Sequence, residues 1–326
     1  MLPLNDPLWK KLDDAHRDRV IPEVLAGLAD DWDDETANSL FWDCLCHQET
    51  CYGATYAVIP HLLEIAEPEE NQHQRLEIAC FLGFVVLCAL DRRRPAADAL
   101  QGLPRTAQEW DRKLDVYRSL LGHIEAAQGF TSDYEETVER PRYCEILANG
   151  PVKGRDLEKI ESIRGDFFAA LPTIRALCER SLLENLEDEH APLYLLSGIA
   201  AADGLLSLAF LLTCGADGRF RCGSCDWEYE YRLFEDRMAI YAHESEGHES
   251  TGAEDRVRMD YKDGAPSRAD GFMVPVGNGQ ALGFAVLALL ELADRASNPR
   301  PALLLRNFVG SLLCCKCGKQ GPIQGT

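Results

Sequence analysis

Two cysteine pairs have the spacing that protein metal sites use. Cys222 and Cys225 lie in the segment RCGSCDWEYEY, and Cys314 and Cys317 repeat the C-x-x-C spacing in CCKCGK. In such a segment both sulfurs and nearby backbone N–H groups can face one ion, and a glycine after the second cysteine, here Gly318, suits the turn that this requires. The sequence therefore predicts one site built from four thiolates.

The chemistry of such a site is structural. When thiolates fill all four positions of a tetrahedral Zn²⁺, no position is open for water, and the ion cannot act as a hydrolytic centre. We therefore expect a structural zinc ion, with Cys315 as a possible substitute ligand. Two other interpretations stay open: a redox-active C-x-x-C, which is normally found at a helix start in a βαβ context that this sequence lacks, and a set of unrelated core thiols.

The residues around the first pair alternate in polarity, with GRF before it and DWEYEYRLF after it, and predict a short β-hairpin. The region resembles a zinc ribbon in which 88 residues, comprising a loop and a helix pair, separate Cys225 from Cys314. The remaining cysteines lie mostly on apolar faces and are interpreted as small buried hydrophobic residues. They are Cys44, Cys46, Cys51, Cys80, Cys88, Cys144, Cys178 and Cys214.

The rest of the chain is organised around three proline-containing helical segments, VIPEVLAGLA, VIPHLLEIA and ALPTIRALC. Pro22 and Pro60 lie 38 positions apart, and Pro60 and Pro172 lie 112 apart, close to a threefold multiple of the same spacing. Each segment is followed by a second apolar helix, predicted over 37–46, 74–90 and 191–202. A repeated helix pair of roughly 40 residues is typical of an α-solenoid.

One of these units resembles a HEAT repeat. The segment VIPHLLEIAEPEENQHQRLEIACFLGFV has a proline in the first helix (Pro60), a polar turn, an arginine at the start of the second helix (Arg75), and Ala79, Leu82 and Gly83 at its end. The stretch CHQETCYGATYAVIPHL is also similar to the inter-helix segment of uncharacterised bacterial HEAT-like proteins, a resemblance that implies no activity. The resemblance implies a mainly α protein: an armadillo-type α-solenoid of HEAT-like helix pairs with a small zinc-ribbon-like β element near the C-terminus.

Four regions follow from these patterns. Residues 1–130 are predicted to form HEAT-like helix pairs with an acidic face, 131–159 a polar insertion or linker, 160–215 further helix pairs, and 216–326 the split ribbon with an inserted loop and a final helix pair. We expect β-structure only in the ribbon and the loop beside it. Because a proline in the first turns of a helix is common in any all-α protein, a non-repetitive helical bundle is the alternative.

The composition argues against two classes of partner, nucleic acids and membranes. The net charge of −21 argues against nucleic acid as a ligand, because binding to phosphates depends on clustered Lys and Arg. The longest apolar run, ACFLGFVVLCAL, is 12 residues, short of the ~20 that span a bilayer. With thirteen cysteines and no recognisable signal peptide, the sequence predicts reduced thiols and a cytoplasmic location, with no membrane partner.

The acidic charge is concentrated near the N-terminus. From Glu23 to Glu70 there are twelve acidic residues and no Lys or Arg. Such a surface steers a partner of opposite charge, so we predict a non-catalytic adaptor or scaffold that binds a basic protein, as an immunity protein covers a nucleic-acid-binding enzyme or toxin. The alternative is a solvated face that only maintains solubility. The predicted partner-binding residues are Asp30, Asp31, Asp33, Asp34, Glu35, Glu67, Glu69 and Glu70.

The same region also contains residues that could act as acids and bases in catalysis. His47, Glu49 and His61 could form a general acid/base cluster in the turn between two helices, and an enzyme that uses this cleft is the second hypothesis. No serine or lysine nucleophile stands at a recognisable spacing from them. An enzyme would need a deep, partly apolar pocket with converging titratable groups, whereas an adaptor needs a broad acidic face.

Overall fold

The computed structural model of the chain is mainly helical, with small antiparallel sheets. It divides into two compact units, Met1–Leu177 and Cys178–Thr326. The mainly α class predicted from the sequence is therefore confirmed, whereas the solenoid arrangement stays a prediction. The structure describes residues 1–15, 20–47, 49–68, 71–90, 100, 102–127, 132–184, 191–213, 217–233, 238–242, 271–275, 282–296 and 299–325.

The first unit consists of helices and one small two-stranded sheet. Helix α1 packs against α3, α3 against α4, and α5 against α6. Strands β1 (Cys46–His47) and β2 (Thr50–Cys51) pair antiparallel. The helices are α1 (Ile21–Asp30), α2 (Asp34–Asn38, continued by a π-helical stretch Ser39–Leu45), α3 (Gly53–Ala66), α4 (Gln72–Ala89), α5 (Ala107–Ala126), α6 (Arg140–Asn149) and α7 (Gly154–Glu184), within which the boundary between the units falls.

The proline-containing segments are helical, as predicted. Pro22 lies in the first turn of α1, while Pro60 and Pro172 lie inside α3 and α7. The second helices of the predicted pairs are also present: α2 with its π-helical continuation, α4, and a helix over Ala191–Ala202 in the second unit. Arg75, near the start of α4, is 1% exposed and donates a hydrogen bond to the Pro68 carbonyl oxygen (3.0 Å), which ties α4 to the turn that precedes it.

The region predicted as a polar insertion or linker contains regular structure. A π-helical turn, Glu135–Glu139, leads into α6, and α6 packs against α5. Tyr117 of α5 stacks on Tyr143 of α6 with ring centroids 5.5 Å apart. Two buried aromatic rings thus hold this segment to the first unit.

A buried carboxylate organises the start of α3. Asp13 is 5% exposed, accepts a hydrogen bond from the Gly53 N–H (2.9 Å), and forms an ion pair with Lys113 of α5 (2.8 Å). The Tyr117 hydroxyl donates to the same carboxylate at 3.2 Å. A Cβ atom at Gly102 would lie 2.5 Å from the Gly53 nitrogen, so no larger residue fits there without moving the backbone. Asp13 therefore links the N-terminal segment, α3 and α5.

The second unit packs helices on an antiparallel sheet. Helix α8 contacts α9 and α10, and α9 contacts α11 and strands β3 and β9. The helices are α8 (Ala191–Ala202), α9 (Leu206–Thr213), α10 (Phe284–Arg295) and α11 (Pro299–Phe308). The strands, in sheet order, are β8 (Gln320–Gly321), β7 (Ser311–Leu313), β6 (Gly271–Val274), β5 (Met238–Ala242), β4 (Glu228–Leu233), β3 (Asp217–Cys222) and β9 (Ile323–Gly325).

The hairpin predicted around the first cysteine pair is present as β3–β4. Its inward side carries Phe220, which stacks against Tyr229 and Tyr231 at 5.7 and 5.8 Å, and Tyr231 meets Phe308 of α11 edge-on at 5.3 Å. The sheet is larger than the predicted hairpin, however, because five more strands join it. The expectation that β-structure is confined to this region is also wrong, since β1 and β2 lie in the first unit.

No helix among the described residues is both long enough and apolar enough to cross a bilayer. This agrees with the short apolar run noted in the sequence, which forms part of α4.

Replacement of Asp13 by alanine is expected to lower the free energy of unfolding of the first unit by about 3 kcal/mol, because the largely buried Lys113 ammonium loses its counter-ion and the Gly53 N–H loses its acceptor. Urea unfolding monitored by tryptophan fluorescence measures this, since four of the five tryptophans (Trp9, Trp32, Trp42 and Trp110) lie in the first unit. The matched control is Asp111→Ala, an exposed carboxylate on α5. Equal stability of the two variants would contradict the role of Asp13.

Candidate metal centre

The first cysteine pair occupies a tight turn at the end of β3. The N–H of Cys222 donates to the Trp227 carbonyl (2.9 Å), and the N–H of Asp226 donates back to the Cys222 carbonyl (3.0 Å). The Ser224 N–H points at the Cys222 sulfur at 3.4 Å. Asp226 has φ of 59°, a left-handed conformation that Asp and Asn adopt more readily than other non-glycine residues. We call residues 222–227 the first knuckle.

The second pair repeats this geometry between β7 and β8. The Cys314 N–H donates to the Lys319 carbonyl (3.0 Å), and the Gly318 N–H donates to the Cys314 carbonyl (2.8 Å), at the same sequence offsets as in the first knuckle. The Cys317 N–H points at the Cys314 sulfur at 3.4 Å. Gly318 has φ of 67°, so the glycine is used for the turn that the sequence predicted. Residues 314–319 form the second knuckle.

Sheet pairing explains how the knuckles meet despite their separation in sequence. The chain leaves the second knuckle and forms β9, which pairs with β3 so that Ile323 lies opposite Cys222. The Gly223 N–H also donates to the Pro322 carbonyl at 3.2 Å. The segment between the two knuckles can therefore be long, because the final strand, β9, pairs with β3 and brings the second knuckle beside the first.

The four sulfurs have the spacing of a tetrahedral site. All four lie within 4.8 Å of one another, with 3.7 Å between Cys225 and Cys314 and 4.0 Å between Cys222 and Cys317. A tetrahedral ion with metal–sulfur bonds of about 2.3 Å places its sulfurs about 3.8 Å apart. The four cysteines are thus close enough to hold a metal ion, as the sequence predicted, and Cys315 is not part of this group.

Tyr229 supports the site in a way that the sequence analysis missed. Its buried hydroxyl lies 3.1 Å from the Cys314 sulfur and 3.2 Å from that of Cys315, and it accepts the Cys315 N–H at 3.1 Å. With an N–H already donating to the oxygen, the hydroxyl proton is available to a sulfur. Burial raises the pKa of Tyr229, so the hydroxyl stays a neutral donor. The strict alternation of β4, with Tyr229 and Tyr231 on the inward face, is the sequence signal that points to it.

Hydrogen bonding favours the thiolate at Cys314. Burial opposes ionisation there, but the Tyr229 hydroxyl and the Cys317 N–H lower the pKa of Cys314 to about 6. Hydrogen bonds to the charged form are a general means of lowering a pKa, and donors around metal-bound thiolates act in the same way. The donor set therefore fits a metal that binds thiolate.

A cation also joins the two knuckles. The Lys316 ammonium lies 4.4 Å from the centroid of the Trp227 ring, a cation–π distance. Four thiolates around a divalent ion would leave a net charge of about −2, which a nearby lysine partly offsets. Cys225 is exposed and Cys317 partly exposed, so one side of the site faces solvent, while Cys222 and Cys314 are buried.

The predicted acidic residues lie at the surface of the first unit. Asp30, Asp31, Asp33, Asp34, Glu35 and Glu67 are exposed, whereas Glu69 and Glu70 lie outside the described residues. Two of the six have local structural roles. Asp33 caps α2 by accepting the Thr36 N–H (2.8 Å), and Asp34 accepts the Trp32 indole N–H (2.8 Å) and pairs with His73 (3.0 Å).

Asp30 and Asp31 border an open groove with a volume of about 920 Å³. The groove lies among α1, the end of α3 and the start of α4, and Glu64 contributes a third carboxylate. None of its lining residues is Lys or Arg. We call it the acidic groove; its other lining residues are Leu4, Leu25, Leu28, Ala29, Trp32, His61, Ile65, Pro68, Asn71, Gln72, His73 and Gln74.

The enzyme hypothesis that uses His47, Glu49 and His61 stays a prediction. His47, Glu49 and His61 are not among the groups of described residues whose ligating atoms lie within 4.8 Å of one another. The His61 ring instead hydrogen-bonds the Leu2 carbonyl oxygen (2.9 Å) and lies 6.2 Å from the Trp9 ring. His61 thus holds the N-terminal segment against α3.

Replacement of Tyr229 by phenylalanine should lower the affinity of the four-thiolate site for Zn²⁺ or Co²⁺ by about tenfold, because the Cys314 thiolate loses its O–H donor while all four ligands remain. Competition with a chromophoric chelator measures the affinity. The control is Tyr231→Phe, which removes a hydroxyl on the same strand that donates to the Leu211 carbonyl (3.5 Å) and not to sulfur. Equal affinities of the two variants would rule out the supporting role of Tyr229.

No family model, curated protein or solved structure matches this chain. The metal centre is therefore inferred from its own geometry: four sulfurs within 4.8 Å of one another, two knuckles with the same backbone hydrogen bonds, and a buried hydroxyl 3.1 Å from a ligand sulfur.

Proposed function

We propose that this protein is a non-catalytic adaptor of the HEAT-like, armadillo type, whose acidic groove docks a basic protein and whose four-thiolate site holds a structural Zn²⁺. The observation that carries the proposal is the acidic groove itself, an open volume of about 920 Å³ whose described lining residues include three carboxylates and no lysine or arginine. A groove of one charge sign attracts and orients a partner of the other sign.

The wider charge distribution supports the same conclusion. Of the twelve acidic residues between Glu23 and Glu70, the ten that the structure describes are all exposed. Exposed carboxylates repel one another, which disfavours the compact state unless water or a basic surface compensates. A partner rich in Lys and Arg, such as a nucleic-acid-binding enzyme or toxin, would supply that compensation and would itself be inhibited or regulated by being covered.

The apolar lining gives the groove a second means of recognition. Leu4 and Trp32 are partly exposed in the groove and Pro68 is exposed there, while Asp30 and Asp31 are exposed at its border. Interfaces usually combine an apolar centre with a polar rim that sets specificity. The expected partner segment is therefore amphipathic, with basic residues flanking an apolar side chain.

Zinc is the proposed occupant of the metal centre. Structural zinc sites are tetrahedral and use four cysteines in knuckles of this kind, and thiolates select Zn²⁺ over Mg²⁺ or Ca²⁺. The sulfur separations of 3.7 and 4.0 Å fit that coordination. The zinc would join β3 to the β7–β8 turn and would have no catalytic role.

An enzyme is the second candidate, because the acidic groove also contains His61, Glu64 and His73. Imidazole and carboxylate in one groove are the groups that general acid/base catalysis uses. The His61 ring hydrogen-bonds the Leu2 carbonyl oxygen (2.9 Å) and His73 pairs with Asp34 (3.0 Å), so both imidazoles already have partners in the fold, which favours the adaptor.

Purified protein is expected to contain one zinc ion per chain at the knuckles, and Cys222→Ser or Cys317→Ser to lose it. Four-ligand thiolate sites bind zinc tightly at neutral pH, and the loss of one ligand opens the tetrahedron. Elemental analysis of freshly purified protein gives the zinc content. The control is Cys144→Ser, which replaces an exposed cysteine outside both cysteine groups. Zinc retained by both ligand variants would exclude these cysteines as the site.

The docking proposal predicts that Asp30→Lys combined with Asp31→Lys weakens capture of a basic partner by tenfold or more, a loss of roughly 1.4 kcal/mol. These two positions are chosen because Asp33 and Asp34 have local roles that would confound the result. The control with the same change in net charge is Asp111→Lys with Glu125→Lys, two exposed carboxylates of α5 outside the groove.

The measurement is a pull-down from lysate of the native organism, followed by titration of the captured partner at low and high salt. Binding should fall with ionic strength, because exposed charges are screened beyond ~8 Å at physiological salt. A partner that binds the groove variant as tightly as the control variant would show that the charge serves only solubility.

A further inference from the structure

A second group of cysteines lies in the first unit. From the sequence, Cys46, Cys51 and Cys88 are interpreted as separate buried hydrophobic residues. The structure brings their three sulfurs within 4.8 Å of one another, with Cys46 and Cys51 3.7 Å apart. Apolar packing alone does not require the thiol of Cys88 to approach the other two, which lie 37 or more positions earlier in the chain.

Local structure positions each member of this trio. Cys46 and Cys51 lie directly opposite each other in the antiparallel pair β1–β2, so their side chains share one face. The turn between them contains Glu49 at φ of 62°. Cys88 lies in the last turn of α4, and α4 contacts β2. A short hairpin thus supplies two sulfurs and the end of a helix supplies the third.

The junction after the hairpin is held by hydrogen bonds. The Thr55 hydroxyl donates to the Leu45 carbonyl, and the Tyr52 N–H donates to the Thr55 oxygen at 2.9 Å. Thr55 is fully buried. The residues on both sides of the hairpin are therefore fixed relative to α3, and the positions of Cys46 and Cys51 are fixed with them.

Water has little access to this trio. Cys46 is 3% exposed and Cys51 9%, and only Cys88 is partly exposed. An ion held by three thiolates in a plane, with bonds of about 2.3 Å, would separate its sulfurs by about 4.0 Å. The Cys46–Cys51 distance of 3.7 Å is close to that value, and the two distances to Cys88 are at most 4.8 Å.

We propose that Cys46, Cys51 and Cys88 form a three-thiolate binding site for Cu(I). Thiolates are soft ligands that select Cu(I) and Zn²⁺, but structural zinc takes four ligands, and no fourth Cys, His, Asp or Glu joins the trio among the described residues. Cu(I) is stable with a trigonal set of thiolates and needs no water. The burial of two of the three sulfurs also protects a bound Cu(I) from oxidation by solvent species.

This inference does not depend on the proposed docking function. The trio and the knuckles lie in different units, so each can be tested while the other is intact. Failure of the copper site would leave the adaptor proposal unchanged.

The test uses the full chain, loaded with zinc and kept anaerobic with a non-thiol reductant. Cu(I) is delivered as its complex with a chromophoric chelator such as bathocuproine disulfonate, whose absorbance falls when the protein removes the metal. We expect one equivalent of Cu(I) to be bound and the zinc content to stay constant. The affinity of Cys88→Ser should be lower by more than about a hundredfold, since even loss of an outer-shell partner costs tenfold to a hundredfold.

The matched control is Cys80→Ser, on the same helix but outside the trio, which should bind copper like the native protein. Cys51→Ser is a second ligand variant in case Cys88→Ser fails to fold, as judged by circular dichroism. X-ray absorption at the copper edge should find three sulfur neighbours. The proposal is overturned if no copper is retained, if ligand and control variants bind it equally, if copper releases zinc from the knuckles, or if zinc fills the trio instead.

Discussion

The close approach of four cysteine sulfurs is the constraint on which the second unit depends. The sulfurs lie within 4.8 Å of one another, and like charges at that distance destabilise a fold unless a cation or protons neutralise them. These cysteines lie at the end of β3 and in the β7–β8 turn, which are far apart in the order of strands across the sheet, so a bound ion would join them. Metal binding would then be linked to assembly of the sheet, because a site absent from the unfolded chain converts binding energy into folding energy.

The first unit meets a similar constraint with different chemistry. Asp13 is a buried charge whose cost is offset by Lys113 and by hydrogen bonds from Gly53 and Tyr117. Because those partners belong to α3 and α5, the carboxylate connects the first residue of α3 to the interior of α5. The compensating cation for Asp13 is a side chain of the protein itself, whereas at the knuckles it would be a bound metal ion.

Features set by a short stretch of sequence could be predicted, whereas features formed by residues that meet only in the folded chain could not. C-x-x-C spacing, the glycine at position 318 and the alternation of β4 each specify a local geometry, and the structure contains all three. Strands β7, β8 and β9 are two or three residues long, too short for a periodic pattern in the sequence to reveal them. Asp226 in a left-handed turn has no glycine to mark it. Cys88 lies 37 positions after Cys51, and no short cysteine motif relates the two, so only the folded structure identifies the trio.

The acidic residues illustrate how structure separates fold from function. In the sequence they form one group of carboxylates without cations. In the structure, Asp33 caps a helix and Asp34 holds Trp32 and His73, so the fold itself accounts for their presence. Among the described residues, the side chains of Asp30 and Asp31 have no comparable hydrogen-bonding role, yet both border the groove. An exposed carboxylate changes the free energy of folding little in either direction. The functional inference therefore rests on Asp30 and Asp31, whose charge the helices do not require and a basic partner would use.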